Sequence, residues 1–162
     1  MSYSLQQHLA YNFWANGKVA EFITKAEENV FDAEVKSSFP SLRKTVEHIW
    51  DAEYIWIKRL QGDSLLDWPS KNFKGNRAET LSAWLDCSKD FENFISSKDN
   101  AYDQSIVRYK NMKGDEFKSS VEVIVMHVVN HGTFHRGQIV TLLRELGYTD
   151  FTSTDLITFS RL

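Results

Sequence analysis

The stretch from Val121 to Leu146 constrains the fold more than any other part of the chain. Its apolar residues recur at helical intervals, and its inward seam can be written Val121, Ile124, Val128, His131, His135, Ile139, Leu142 and Leu146. Two slots where leucine or isoleucine is expected hold histidine instead. A spacing of four stacks both imidazoles on one helix face. Such a pair presents two nitrogens to one cation without distorting the backbone. A single histidine on an apolar face is more often a hydrogen-bonded core residue than a ligand. Two in succession, with Gly132 and Gly137 beside them, shift the balance towards function, because each interior glycine costs a helix about 1 kcal/mol. Alternatively, the glycines admit a neighbouring helix at close range.

Three more segments carry helical periodicity. The first runs from Leu5 to Ala26 and is expected to bury Leu5, Leu9, Phe13, Val19, Phe22 and Ile23. The second starts at Ser41 and ends before Gly62, with a seam of Leu42, Val46, Ile49, Glu53, Ile57 and Leu60 in which Glu53 is the anomaly. The third spans Arg77 to Ser97 and contributes Leu81, Trp84, Leu85, Phe91 and Phe94. Capping boxes open three of the four helices: Ser4 with Gln7, Asn76 with Glu79, and Ser119 with Glu122. Turn residues between 104 and 118 predict a short hairpin or an extended crossover, and Gly62, Pro69 and Gly75 mark the segment from Leu60 to Asn76 as a surface loop. The expected fold class is all-α, a four-helix set forming a single domain over residues 1–162.

Composition removes several functions. The 19 basic and 22 acidic residues leave a net charge of -3 with no basic stripe, so no nucleic-acid partner is expected. One cysteine, Cys87, allows neither an internal disulfide nor a Cys-rich zinc site. It reads as a small packed residue. The N-terminus lacks a cationic start followed by an apolar run, and no stretch approaches the roughly 20 residues of a membrane span. A cytoplasmic protein without membrane association is the expectation.

Two histidines are too few for a catalytic metal site, which takes three protein ligands and keeps a position open. The remaining candidates are His8, His48 and His127. His48, at the border of the second helix's seam, is placed to reach the fourth helix across a bundle. His127 precedes His131 by four, but three ligands at i, i+4 and i+8 drift by about 80° round a helix, which suits a supporting role. His8 reads as a surface residue. His131-Gly-Thr-Phe-His135 lacks the glutamate of a zinc peptidase, and the glutamates of a di-iron bundle are missing too, so one ion fits better than two.

With Tyr11-Asn-Phe-Trp-Ala-Asn16, Thr45-Val-Glu-His48-Ile and Asn130-His131-Gly-Thr-Phe-His135-Arg-Gly-Gln138 in view, the chain resembles the DinB/YfiT-like superfamily over nearly its whole length. The resemblance implies an antiparallel four-helix bundle with a long crossover and a metal-binding triad at His48, His131 and His135. It implies a divalent ion, nickel or zinc, with iron and manganese also acceptable to imidazole. It further implies a homodimer and thiol-dependent, S-transferase-like chemistry, in which a low-molecular-weight thiol attacks a small electrophilic substrate. The alternatives are a metal-dependent hydrolase of a small molecule and a non-catalytic metal-binding or dimerisation module of a stress response.

Other polar residues near the triad carry weaker expectations. Glu47, Asp51, Asn130 and Gln138 are candidates to orient an imidazole. Glu53 is a candidate general base, its carboxyl raised towards neutrality by burial, against a salt bridge to Arg43, Arg136 or Arg144. Arg136 is a candidate to bind an anionic cofactor carboxylate, against a role in fixing the bundle or a dimer contact.

Overall fold

Each long helix starts where a side-chain oxygen takes up a free backbone N–H. The computed structural model describes residues 3–63, 67–99 and 101–162. Helix α1 (Leu5–Lys25) and helix α3 (Arg77–Ser96) open with full capping boxes at Ser4/Gln7 and Asn76/Glu79. Helix α2 (Leu42–Leu60) is capped by Ser41, whose hydroxyl accepts from the Lys44 N–H. Helix α4 (Val121–Glu145) is capped by Ser120, one residue later than expected. Both Ser119 and Ser120 are paired in the hairpin, but the Ser119 hydroxyl meets Tyr109 Oη at 3.3 Å, whereas that of Ser120 accepts from the Val123 N–H. Glu122 accepts from Gln104 instead of closing a box. Gly62 and Gly147, at φ of +91° and +94°, stop α2 and α4 in the left-handed conformation that suits glycine.

Strands β1 (Ile106–Lys110) and β2 (Glu116–Ser120) pair antiparallel with Tyr109 opposite Phe117, closing the hairpin expected between α3 and α4. A short α5 (Leu156–Phe159) was not anticipated. It returns to α1, with Phe159 against Tyr11 and Trp14 and the Tyr11 hydroxyl donating to the Thr154 carbonyl. Residues 64–66 of the expected surface loop, and Met1 and Ser2 of the N-terminal stretch, lie outside the described residues. No described helix is long and apolar enough to cross a membrane.

The bundle is wound so that consecutive helices are mostly not neighbours. Helix α1 packs chiefly on α3 and α4, and α2 packs on the same two, which sets α1 diagonally across from α2. The core runs through the middle, with Trp84, Phe22, Phe31 and Phe91 among its largest enclosed side chains. All six expected seam residues of α2 are buried, Glu53 included. On α1 and α3, Phe13, Leu85 and Phe94 are only half-buried. The face of α1 that points inward carries Asn12, Ala15 and Asn16, and Phe13 lies to one side with Lys89 5.0 Å from its ring centre.

Those two asparagines belong to a polar network at the bundle centre. Asn12 and Asn16 donate to Glu53 Oε1 at 2.7 and 2.9 Å, and the Ser88 hydroxyl donates to Oε2. Their own carbonyls both accept from Arg136 Nη1 at 2.7 Å, while Nη2 donates to Thr133. Both oxygens of the Glu53 carboxyl therefore have partners, Oε1 two amide N–H groups and Oε2 the Ser88 hydroxyl. Burial raises the Glu53 pKa while those hydrogen bonds and the Arg136 charge oppose it, and burial lowers that of Arg136. One residue or more from each of α1, α2, α3 and α4 therefore meets in a single linked cluster. Gly132 makes room for it: a Cβ there would lie 2.8 Å from both Asn12 Oδ1 and Arg136 Nη1. Gly137 faces open space, so close approach of a neighbouring helix accounts for only one of the two glycines.

Candidate metal centre

On α4 the four-residue spacing sets the rings of His131 and His135 4.4 Å apart, and α2 brings His48 to within 4.8 and 4.6 Å of them. One ligand nitrogen from each lies within 4.8 Å of the others, the single such group of three among the described residues. His48 and His131 face each other through their Nε2 atoms at 2.9 Å. The four-coordinate geometry of a zinc–imidazole site needs nitrogens about 3.3 Å apart. Small side-chain rotations suffice to reach it.

The electrostatics favour neutral rings with lone pairs to offer. Burial lowers the pKa of all three, and neighbouring imidazoles lower His48 and His131 further, the latter to about 3. His135 is 6% exposed, and its Nδ1 lies 2.7 Å from Gln138 Oε1. An amide oxygen only accepts, so Nδ1 carries the proton and Nε2 is left bare for a cation. Phe39, from the segment joining α1 to α2, stacks on the His48 ring at 4.4 Å and stands edge-on to His135 at 5.6 Å. It was missed in the sequence, where nothing local ties residue 39 to a histidine nine residues on.

The other candidates lie elsewhere. His8 packs on Tyr3, and exposed His127 sits 5.4 Å from Trp56 and 6.0 Å from His131. Of the four residues considered for orienting an imidazole, only Gln138 does so. Glu47 and Asp51 are buried but turned to other partners; Lys44 pairs with the first, and the second accepts from Ser70 N–H and Oγ. Asn130 is exposed. Glu53 and Arg136 are 1% and 3% exposed and spend their polar atoms on the central network. The general-base reading of Glu53 and the cofactor-carboxylate reading of Arg136 are corrected accordingly, since neither side chain is open to a dissolved molecule. The salt bridge considered for Glu53 is not formed: Glu53 and Arg136 each bond to Asn12 and Asn16 rather than to one another, and only the charge of Arg136 acts on the carboxyl. Cys87 is buried, and that burial raises its thiol pKa.

A family model described as the DinB family matches residues 1–160. The chain belongs to the DinB family. Protein DinB of Bacillus subtilis is 27% identical to it over 145 residues, covering 85% of this chain and 83% of that protein. Among solved structures, a DinB-like protein, YjoA of Bacillus subtilis, aligns with a TM-score of 0.70 at 12% identity over 92% of this chain and 97% of its own. YfiT from Bacillus subtilis, described as "a probable metal-dependent hydrolase with an unusual four-helix bundle topology", aligns at 0.67 and 11% identity over 90% and 89%. A DinB-like protein of Bacillus cereus aligns at 0.67 and 14% over 86% and 91%. At these identities the structures establish a shared fold, while the family rests on the model match.

Proposed function

We propose that His48, His131 and His135 hold one divalent metal ion, and that the protein uses it to activate a nucleophile against a small electrophilic molecule. The observation carrying this reading is the convergence of three imidazole nitrogens within 4.8 Å, on rings kept neutral by burial. Nickel and zinc suit an all-imidazole donor set, and iron and manganese are accepted by it as well. A bound ion supplies a Lewis acid that lowers the pKa of a coordinated thiol or water towards neutrality. Gln138 holds His135 in the tautomer that leaves Nε2 free, and Phe39 covers one face of His48 and limits water there.

The nucleophile in the leading reading is a low-molecular-weight thiol, giving S-transferase-like chemistry. A second reading, in which water is the nucleophile and the reaction is hydrolysis, draws support from the description of YfiT. Elemental analysis by plasma mass spectrometry tests the shared premise: about one ion per chain in the wild type, lost in His48→Ala and His135→Ala. Metal-free wild type after reconstitution with nickel and zinc would remove both readings. Turnover of one electrophile with and without added thiol then separates them.

A further inference from the structure

Arg59 is the charged group that the fold explains least. Its side chain is 9% exposed, yet its Nε has no hydrogen-bond partner, and no ion pair among the described residues includes it. Buried charges are ordinarily paired. Arg136 shows how this protein satisfies one, with three oxygens on its two terminal nitrogens. Arg59 has rings instead: its guanidinium lies 4.6 Å from the Trp56 ring centre and 5.2 Å from that of Tyr109. Burial lowers its pKa, and only the Tyr109 phenol acts to raise it. Half-buried Asp103, with Oδ1 enclosed, has its pKa raised by burial and by Glu122 and Asp99, and Arg59 is not among the groups acting on it. Two ring contacts fix the plane of a guanidinium, and with Nε enclosed it is the terminal Nη groups that are left for a planar or tetrahedral anion.

Position gives that anion a context. Arg59 follows His48 by eleven residues on α2, three turns on and therefore on the same face, about 16 Å along the axis. Helical side chains lean towards the N-terminus, and stacking on Trp56 brings the guanidinium back to roughly 12 Å from the His48 level. Rings connect the two places: His131 to His127 at 6.0 Å, His127 to Trp56 at 5.4 Å, and Trp56 to Tyr109 at 5.1 Å. His127 is exposed, and Trp56 and Tyr109 are half-exposed.

We propose that Arg59 binds the carboxylate or phosphate of an elongated small molecule whose other end meets the histidine triad and whose body lies over His127 and Trp56. The inference rests on the proposed metal site for the reactive end only. In 15N-labelled, metal-free protein, the Arg59 Nε–H signal, assigned by its loss in Arg59→Met, is followed on adding sodium phosphate or sodium acetate against chloride at matched ionic strength. A saturable shift with phosphate or acetate is expected, and the more tightly bound of the two identifies the anionic group. Followed in wild type and variants alike through the indole N–H of Trp56, whose ring lies 4.6 Å from the guanidinium, binding should weaken at least tenfold in Arg59→Met and at least fivefold in Arg59→Lys, which keeps the charge and the packed stem if the methionine variant fails to fold. No saturable shift with either anion, or equal binding in the folded variants, overturns the proposal. In nickel-loaded protein, suberic acid monohydroxamate should bind at least fivefold more tightly than octanohydroxamic acid, with the advantage lost in Arg59→Lys. Equal affinity in the wild type would overturn the shared-ligand placement. A protein that binds no nickel but passes the first test would refute the metal reading alone.

Discussion

Gly132→Ala and Gly137→Ala place the same methyl group on the same helix and should act in opposite directions. Replacing glycine with alanine inside a helix gains about 0.5 to 1 kcal/mol from the unfolded chain and the helix backbone. At Gly137 nothing lies within 4 Å of the new Cβ, so the variant should keep that gain. At Gly132 the Cβ would lie 2.8 Å from Arg136 Nη1 and Asn12 Oδ1. Exposed side-chain ends would swing aside, but these are 3% and 1% exposed and bonded to each other and to Asn16, Glu53 and Thr133. Displacing a buried charge-assisted hydrogen bond costs about 1.5 to 3 kcal/mol, and overpacking adds about 1 to 3 kcal/mol. The net is a loss of about 1.5 to 5.5 kcal/mol at Gly132 after the helix gain is subtracted. With a urea slope of about 2 kcal/mol/M, the two variants should differ in midpoint by about 1.2 to 3 M. Equal midpoints on metal-free protein would refute the view that the central network is rigid.

Glu53→Gln puts an amide NH2 against one of the donors Asn12, Asn16 or Ser88 and removes the negative charge of the cluster, so a loss of about 3 to 5 kcal/mol is expected. Unfolding and metal content measured together check this, and a fall in bound metal without a stability loss would return Glu53 to the site. Gln138→Ala leaves the His135 Nδ1–H without its acceptor, which should weaken metal affinity about 10–100-fold. Competition against a chelator reads the change, and unaltered affinity would sink the assignment. Metal-free protein should lose stability as pH falls below the ordinary histidine value of 6.5, because His131, held down to about 3, stays neutral while its unfolded counterpart protonates. The slope is at most about 1.4 kcal/mol per pH unit for this residue, reduced by its partial exposure. Urea midpoints at several pH values should flatten in His131→Ala, and an unchanged profile would refute this account.

The elements that periodicity and local caps determine were legible. All four long helices fall within a residue of their expected ends, and the α2 seam is buried in full, because hydrophobic spacing reports directly on the face a helix turns inward. The misplacement of Phe13 has a physical source: Asn12 and Asn16 occupy core positions on α1, and a polar residue declares itself buried only through partners on other helices. Their four-residue spacing, matching that of His131 and His135, was the available signal. Glu53 stood out as a charge in an apolar seam, yet its role depended on Ser88 and Arg136, distant in sequence. His131 and His135 could be paired from spacing alone. Bringing His48 to them required the rotation of α2, which its sequence brackets only to a residue or so, and Phe39 depends on the path of a connecting segment that no periodicity describes.

The diagonal placement of α1 and α2 bears on how the chain reaches this structure. In a bundle of simple up-and-down hairpins, each new helix finds its predecessor, and contacts between elements stay short in sequence. Here α1 has no adjacent successor to dock on and must await α3 and α4, so much of its buried face is satisfied only by residues some 60 to 120 positions later. Only α2 and α3 form a consecutive packed pair among the long helices. Higher contact order lengthens the search for the native arrangement, and α1 stays without its packing partners until α3 and α4, far along the chain, have formed.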